Sequence, residues 1–127
     1  MKKALLLLAS LGMLLSCTKT GVETYHHVKN NTHDEITAEY TLYTGVHQSA
    51  VIPAHSILQL TFPDGFMCRI PFDTYSSFYI LNAQGDTIMD AMPIDHNDLG
   101  NWITEEDLRE PNRYTKIFID NYILVIN

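Results

Sequence analysis

Apolar and polar side chains alternate along residues 35–43. Ile36, Ala38, Tyr40 and Leu42 fall on one face, and Thr37, Glu39, Thr41 and Tyr43 on the other. A period of two is that of a strand with one buried face. A shorter strand over 25–29 precedes it, across the turn-rich residues Asn30-Asn31-Thr32-His33-Asp34. Residues 49–54 and 56–62 read as further strands, parted near Pro53. Pro63-Asp64-Gly65 then supplies a reversal, and 66–70 returns. The clearest hairpin joins 78–81 to 86–90 through Asn82-Ala83-Gln84-Gly85. Thr104-Glu105-Glu106-Asp107 resembles a helix start, with Thr capping and acids in the first turn, and Pro111 stops it. A short helix is therefore expected near 104–110. Strands over 114–119 and 122–126 finish the chain, with Asp120-Asn121 as a tight turn between them. About eight short strands with no βαβ alternation predict one all-β domain over 25–127, an antiparallel sandwich.

The first residues follow a different pattern. Lys2 and Lys3 precede an uncharged apolar run over 4–15. About 12 residues is too short for a span that needs roughly 20, and suits the apolar region of a secretory signal. Leu14-Leu15-Ser16-Cys17 closes it and resembles the lipobox of bacterial lipoproteins. The expected product is cut after Ser16, leaving Cys17 as an N-terminus whose thiol carries lipid. Residues 17–24 read as the lipidated Cys and a short polar tether.

Loss of residues 1–16 removes two lysines and no acid. The formal charge of −7 becomes about −9. The sequence contains no Lys/Arg cluster after that point, which argues against nucleic acid and against an anionic headgroup surface as partners of the folded part. Cys68 is the one remaining cysteine. Alternation sets it beside Phe66 and Ile70, as a buried and inert thiol.

The Ser16-Cys17 site, His27-Val28-Lys29-Asn30-Asn31, Ile52-Pro53, residues 79–86, Asn101-Trp102 and residues 114–122 together resemble the small lipoproteins of gut Bacteroidota. That resemblance implies an immunoglobulin-like sandwich and carries over no catalytic residue. It also implies a lipid anchor in the outer membrane. Thr18-Lys19-Thr20 lack the acidic run that tends to mark surface export in that group, so the periplasmic side is expected. Asp86-Thr87-Ile88 matches the group's O-glycosylation motif, which makes Thr87 the acceptor the resemblance suggests.

Candidate chemistry is sparse. Asp95, Asn97, Gly100 and Glu106 fall at positions one, three, six and twelve of a calcium-loop pattern, but Leu99 fails at five and Pro93 opposes an entering helix. The six histidines, His26, His27, His33, His47, His55 and His96, show no metal-binding spacing. No Gly-x-Ser-x-Gly, phosphate loop or Cys-x-x-Cys occurs. Tyr43, Tyr75 and Trp102 fall at predicted strand ends or loops, where binding surfaces sit. The expectation is a membrane-anchored, non-enzymatic module that binds an envelope protein or a glycan and needs no cofactor. A calcium- or metal-dependent module, or a hydrolase accessory subunit using the Asp95–Glu106 loop or the histidines, is the rival.

The lipobox makes a direct prediction. Intact-mass measurement of the mature protein should give a chain starting at Cys17 with added acyl mass, and Cys17→Ala should leave the membrane fraction. A wild-type mass without acyl groups would overturn the assignment.

Overall fold

A computed structural model describes residues 19–127; the signal-like segment and Cys17 lie outside them. Eight strands and one helical turn follow in order: β1 (Lys19–Asn30), β2 (Ile36–Leu42), β3 (His47–Ile52), β4 (Ser56–Gln59), α1 (Pro71–Thr74), β5 (Tyr75–Leu81), β6 (Thr87–Asp90), β7 (Trp102–Asn112) and β8 (Thr115–Ile126). They form two four-stranded sheets, ordered β4-β1-β8-β7 and β3-β2-β5-β6. All neighbours are antiparallel except β1 and β8, which run parallel over twelve residue pairs, from Lys19↔Thr115 to Asn30↔Ile126. The all-β sandwich is the expected class. Its first two strands lie in different sheets, whereas the constant-type immunoglobulin order places them side by side in one.

The core follows from the alternation. Ile36, Ala38, Tyr40 and Leu42 of β2 are all buried, as the pattern required. They meet Val28, Tyr122, Leu124 and Ile126 from the other sheet. On β5 the period breaks: Tyr75 and Phe78 both point inward. A register shift opposite Thr41 and Leu42 explains this, because the extra residue of a bulge resets which face the next side chain takes. Asn30 ties the sheets together from β1. Its buried amide donates to the carbonyls of Ile52 and Pro53 at 3.2 and 3.1 Å, and to that of Asp34 at 2.8 Å.

Four expectations are corrected. Residues 104–110 are not a helix but lie within β7, paired with β8 from Trp102↔Leu124 to Asn112↔Thr115. Two helical turns are not stable alone, and the capping pattern yields to a ladder that satisfies the same backbone groups. Pro111 sits at a register shift between Arg109 and Asn112, where its missing N–H is tolerated. Asp120-Asn121 is no turn: β8 runs through it unbroken, and the chain reverses at Arg113-Tyr114 instead. The supposed polar tether is, from Lys19 on, the first half of β1. Residues 66–70 keep their burial alternation but join no ladder, and the helical turn α1 follows them.

The ends of β1, β8 and β7 outrun the second sheet. Every residue of β7 after Trp102 is exposed, and no residue of β8 before Tyr122 is buried. A three-stranded extension thus projects from the sandwich, with Arg113-Tyr114 at its tip.

Trp102 stands where the extension meets the core. Its ring is 3% exposed, lies 6.0 Å from Tyr75 nearly in parallel, and meets Phe78 edge-on at 5.3 Å. Its indole N–H donates to the Ala91 carbonyl at 2.7 Å. Trp102→Ala should cost about 3–5 kcal/mol of stability in urea unfolding, a large part of what a small domain has. Unchanged stability would contradict this packing.

Candidate functional site

At the centre of the core is a histidine. His26 is fully buried on β1, within 6 Å of the rings of Phe62, Tyr75, Trp102 and Tyr122. Its Nε2 lies 2.5 Å from the Arg69 carbonyl, which can only accept, so Nε2 carries the proton. Nδ1 then accepts from the Tyr75 hydroxyl at 2.6 Å. Burial lowers the imidazole pKa to about 4, which keeps the ring neutral at neutral pH. Burial also holds the Tyr75 hydroxyl well above its usual range. The pair fastens the Arg69 end of the 60–70 segment onto β1. Thr74 completes the fastening: its hydroxyl lies 2.8 Å from the Arg69 carbonyl and accepts the Arg69 N–H at 3.0 Å.

From this hub an aromatic series runs to the surface. Phe62 stacks on Phe66 at 5.1 Å, Phe66 meets Tyr43 at 5.0 Å, and the Arg69 guanidinium covers Tyr43 at 5.3 Å. Beside Phe62 and Phe66 opens a cleft of about 390 Å³. Thr24 and Tyr25 of β1 form one wall, Gln59 the end of β4, and residues 60–66 the other wall. The cleft exists because β4 is short. It pairs with β1 only from His27 to Asn30, so β1 between Lys19 and Tyr25 has a strand neighbour on the β8 side alone. The His26 carbonyl faces the β4 side, where it accepts from Leu60 N–H at 2.8 Å. Strand alternation turns the backbone groups of Thr24 and Val22 the same way, those of Thr24 toward the cleft and those of Val22 along the open edge beyond it. On the outer face, the Tyr25 hydroxyl donates to Glu23, whose other oxygen holds Arg109 at 2.9 Å.

The residues singled out from sequence are dispersed. Tyr75 and Trp102, expected at a binding surface, are core rings instead. Tyr43 alone of the three is exposed, next to the cleft residue Phe66. Asp95 uses its carboxylate to cap its own turn, accepting from the N–H groups of Asn97 and Asp98 at 2.7 and 2.8 Å. Gly100 takes a positive φ in the same loop, while Glu106 lies away on β7 opposite Asp120. The twelfth position of the calcium-loop pattern thus belongs to a strand rather than to the exiting helix that the pattern needs. Among the described residues no group of three His, Cys, Asp or Glu is placed to hold a metal. His33 and His55 pair at 3.0 Å, His96 meets Asp73 at 2.7 Å, and His47 contacts Thr41 and Glu39. Cys68, expected to be buried, is a half-buried free thiol whose pKa burial pushes up to about 12. Thr87 is exposed at the start of β6. Sequence reasoning missed Phe62, Phe66 and Thr24, and the one signal for the cleft was the Pro63-Asp64-Gly65 reversal beside Phe62.

No family model, no curated protein and no solved structure matches this chain. The site is therefore defined by its geometry: an all-β sandwich with an aromatic-lined cleft beside an open strand edge.

His26 gives the domain a pH signature. Its folded pKa of about 4 lies below the 6.5 of an unfolded imidazole. Unfolding therefore takes up a proton between these values, so this contribution is full above pH 6.5 and falls as the pH drops to 4. The loss is about 3 kcal/mol across that window. Urea unfolding at stepped pH should show this slope, and His26→Gln should remove it whatever its own stability. If the variant does not fold, the wild-type His26 ring resonance should stay constant from pH 8 to 5. A His26 resonance titrating near 6.5 would overturn the assignment.

Proposed function

We propose that this protein is a lipid-anchored envelope module without catalytic activity, and that it binds an extended segment of another envelope protein. The observation that carries the reading is the edge of β1 from Lys19 to Tyr25, which has one strand neighbour and reaches the cleft at Thr24 and Tyr25. A partner strand laid there would take up the backbone groups of Val22 and Thr24, as in strand-addition recognition. Phe62 and Phe66 would receive its side chains, and Gln59 and Asp64 would set polar specificity. Anchoring rests on Leu14-Leu15-Ser16-Cys17, and the side of attachment expected from the Bacteroidota resemblance is periplasmic. No helix among the described residues is long and apolar enough to cross a membrane. A glycan ligand is the second outcome to test. It is less favoured because Phe62 and Phe66 stack on each other instead of presenting flat faces.

A photoreactive residue at Asp64 should crosslink in cells to a defined peptide segment, and the same group at Gln84, on the β5–β6 hairpin, should not. Thr24→Pro removes one backbone donor from the open edge. It should weaken capture about fivefold to tenfold, the equivalent of one hydrogen bond, with the melting temperature kept. Equal capture from both positions, or capture of glycan alone, would defeat the reading.

A further inference from the structure

The extension carries a polarity that the linear sequence hides. Lys19, Arg109, Arg113 and Lys116 are four of the six Lys and Arg that follow residue 16. The fold gathers them at one end, because Lys19 pairs with Thr115, Thr20 with Lys116, and Asn112 with Thr115. Arg109 is held by Glu23. Arg113 and Lys116 are exposed, and the Arg113 guanidinium lies over the ring of Tyr114, itself 52% exposed. Glu110 is the one acid between Arg109 and Lys116. About 7 Å back, on the face continuous with the core, Val22, Phe118 and Leu108 form a row across the three strands. All three are exposed, because no second sheet covers them. The acids lie behind that row, Asp120 pairing with Glu106 and with Thr24, and Asp107 with Ile119. From the tip inward the order is basic, apolar, acidic.

We propose that this tip is a membrane-contact surface, seated in the headgroup layer of the bilayer that holds the lipid on Cys17. The inference rests on the anchoring reading above. Connectivity selects the occupant. Cys17 stands two residues before Lys19, a separation of at most about 7 Å. The ladder fixes Lys19 beside the tip, so an acylated Cys17 brings the tip to the bilayer surface. Arg113 and Lys116 match headgroup phosphates, and Tyr114 is of the amphipathic kind that settles at a membrane interface. The acids behind the apolar row face away from the lipid. In this pose the cleft opens close to the bilayer and the β5–β6 hairpin points away from it.

The test uses the full-length protein as matured in the cell, in phosphatidylethanolamine–phosphatidylglycerol vesicles with brominated acyl chains. With the Trp102 signal subtracted, emission from Tyr114→Trp should fall on the vesicles by about half or more, as expected of a ring at the interface. Gln84→Trp, at the opposite pole, should be no more quenched than the buried Trp102. Adding Arg113→Glu and Lys116→Glu to Tyr114→Trp should restore emission while the protein still floats with the vesicles. Flotation without Tyr114→Trp quenching overturns the contact surface and leaves the anchor intact. Failure to float, with no acyl mass on Cys17, overturns the anchor and this orientation with it.

Discussion

The parallel ladder between β1 and β8 is the constraint on which the molecule depends. Twelve consecutive pairs join one end of the described chain to the other. Parallel neighbours cannot be joined by a tight turn, and here nearly the whole domain is the connection. Everything else attaches to this pair. β7 adds to the far edge of β8, β4 covers one end of β1, and the second sheet packs on their shared inner face. Where the ladder outruns that sheet, the extension appears. Where it outruns β4, the cleft appears. Both features come from unequal strand lengths around one central pair.

Two buried polar residues of β1 hold the irregular parts to this spine. Asn30 gathers the carbonyls of Asp34, Ile52 and Pro53 at one end. His26 gathers Tyr75 and the Arg69 carbonyl near the other. Each is fully buried and has its hydrogen bonds met, the condition under which buried polar groups specify a fold instead of weakening it. The consequence for the site is direct. The 60–70 segment belongs to no ladder, yet the His26–Arg69 and Thr74–Arg69 bonds fix where it leaves the core, and so fix the wall of the cleft.

The functional proposals share one geometry. A strand edge open beside a cleft suits a partner in extended conformation, and a basic tip that includes Lys19, two residues after the proposed lipid acceptor Cys17, suits a lipid surface. The two lie on the same half of the domain. The anchor would therefore set the distance of the cleft from the bilayer, and a partner reached there would be one lying near the membrane.

How much could be read from the chain itself depended on the range of the interactions involved. Local alternation determined β2, the β5–β6 hairpin and the two-layer all-β class, because a period of two with one buried face is a property of neighbouring residues. The Leu14-Leu15-Ser16-Cys17 pattern is equally local. Tertiary structure alone decided that Thr104-Glu105-Glu106-Asp107 is strand, since its local signal favours a helix and only β8 provides the competing ladder. It decided that Asp120-Asn121 is straight, since Asn121 lies between Tyr25 and Glu105 and its side chain meets His27 at 3.0 Å. It decided that Tyr75 and Trp102 are core, by the bulge on β5 and by the packing of Trp102 against Tyr75. The cleft and the basic tip were equally out of reach. Thr24 lines one cleft with Phe66, and Lys19 pairs with Thr115, only through the arrangement of residues far apart in sequence, and no local pattern encodes a register between strands that distant.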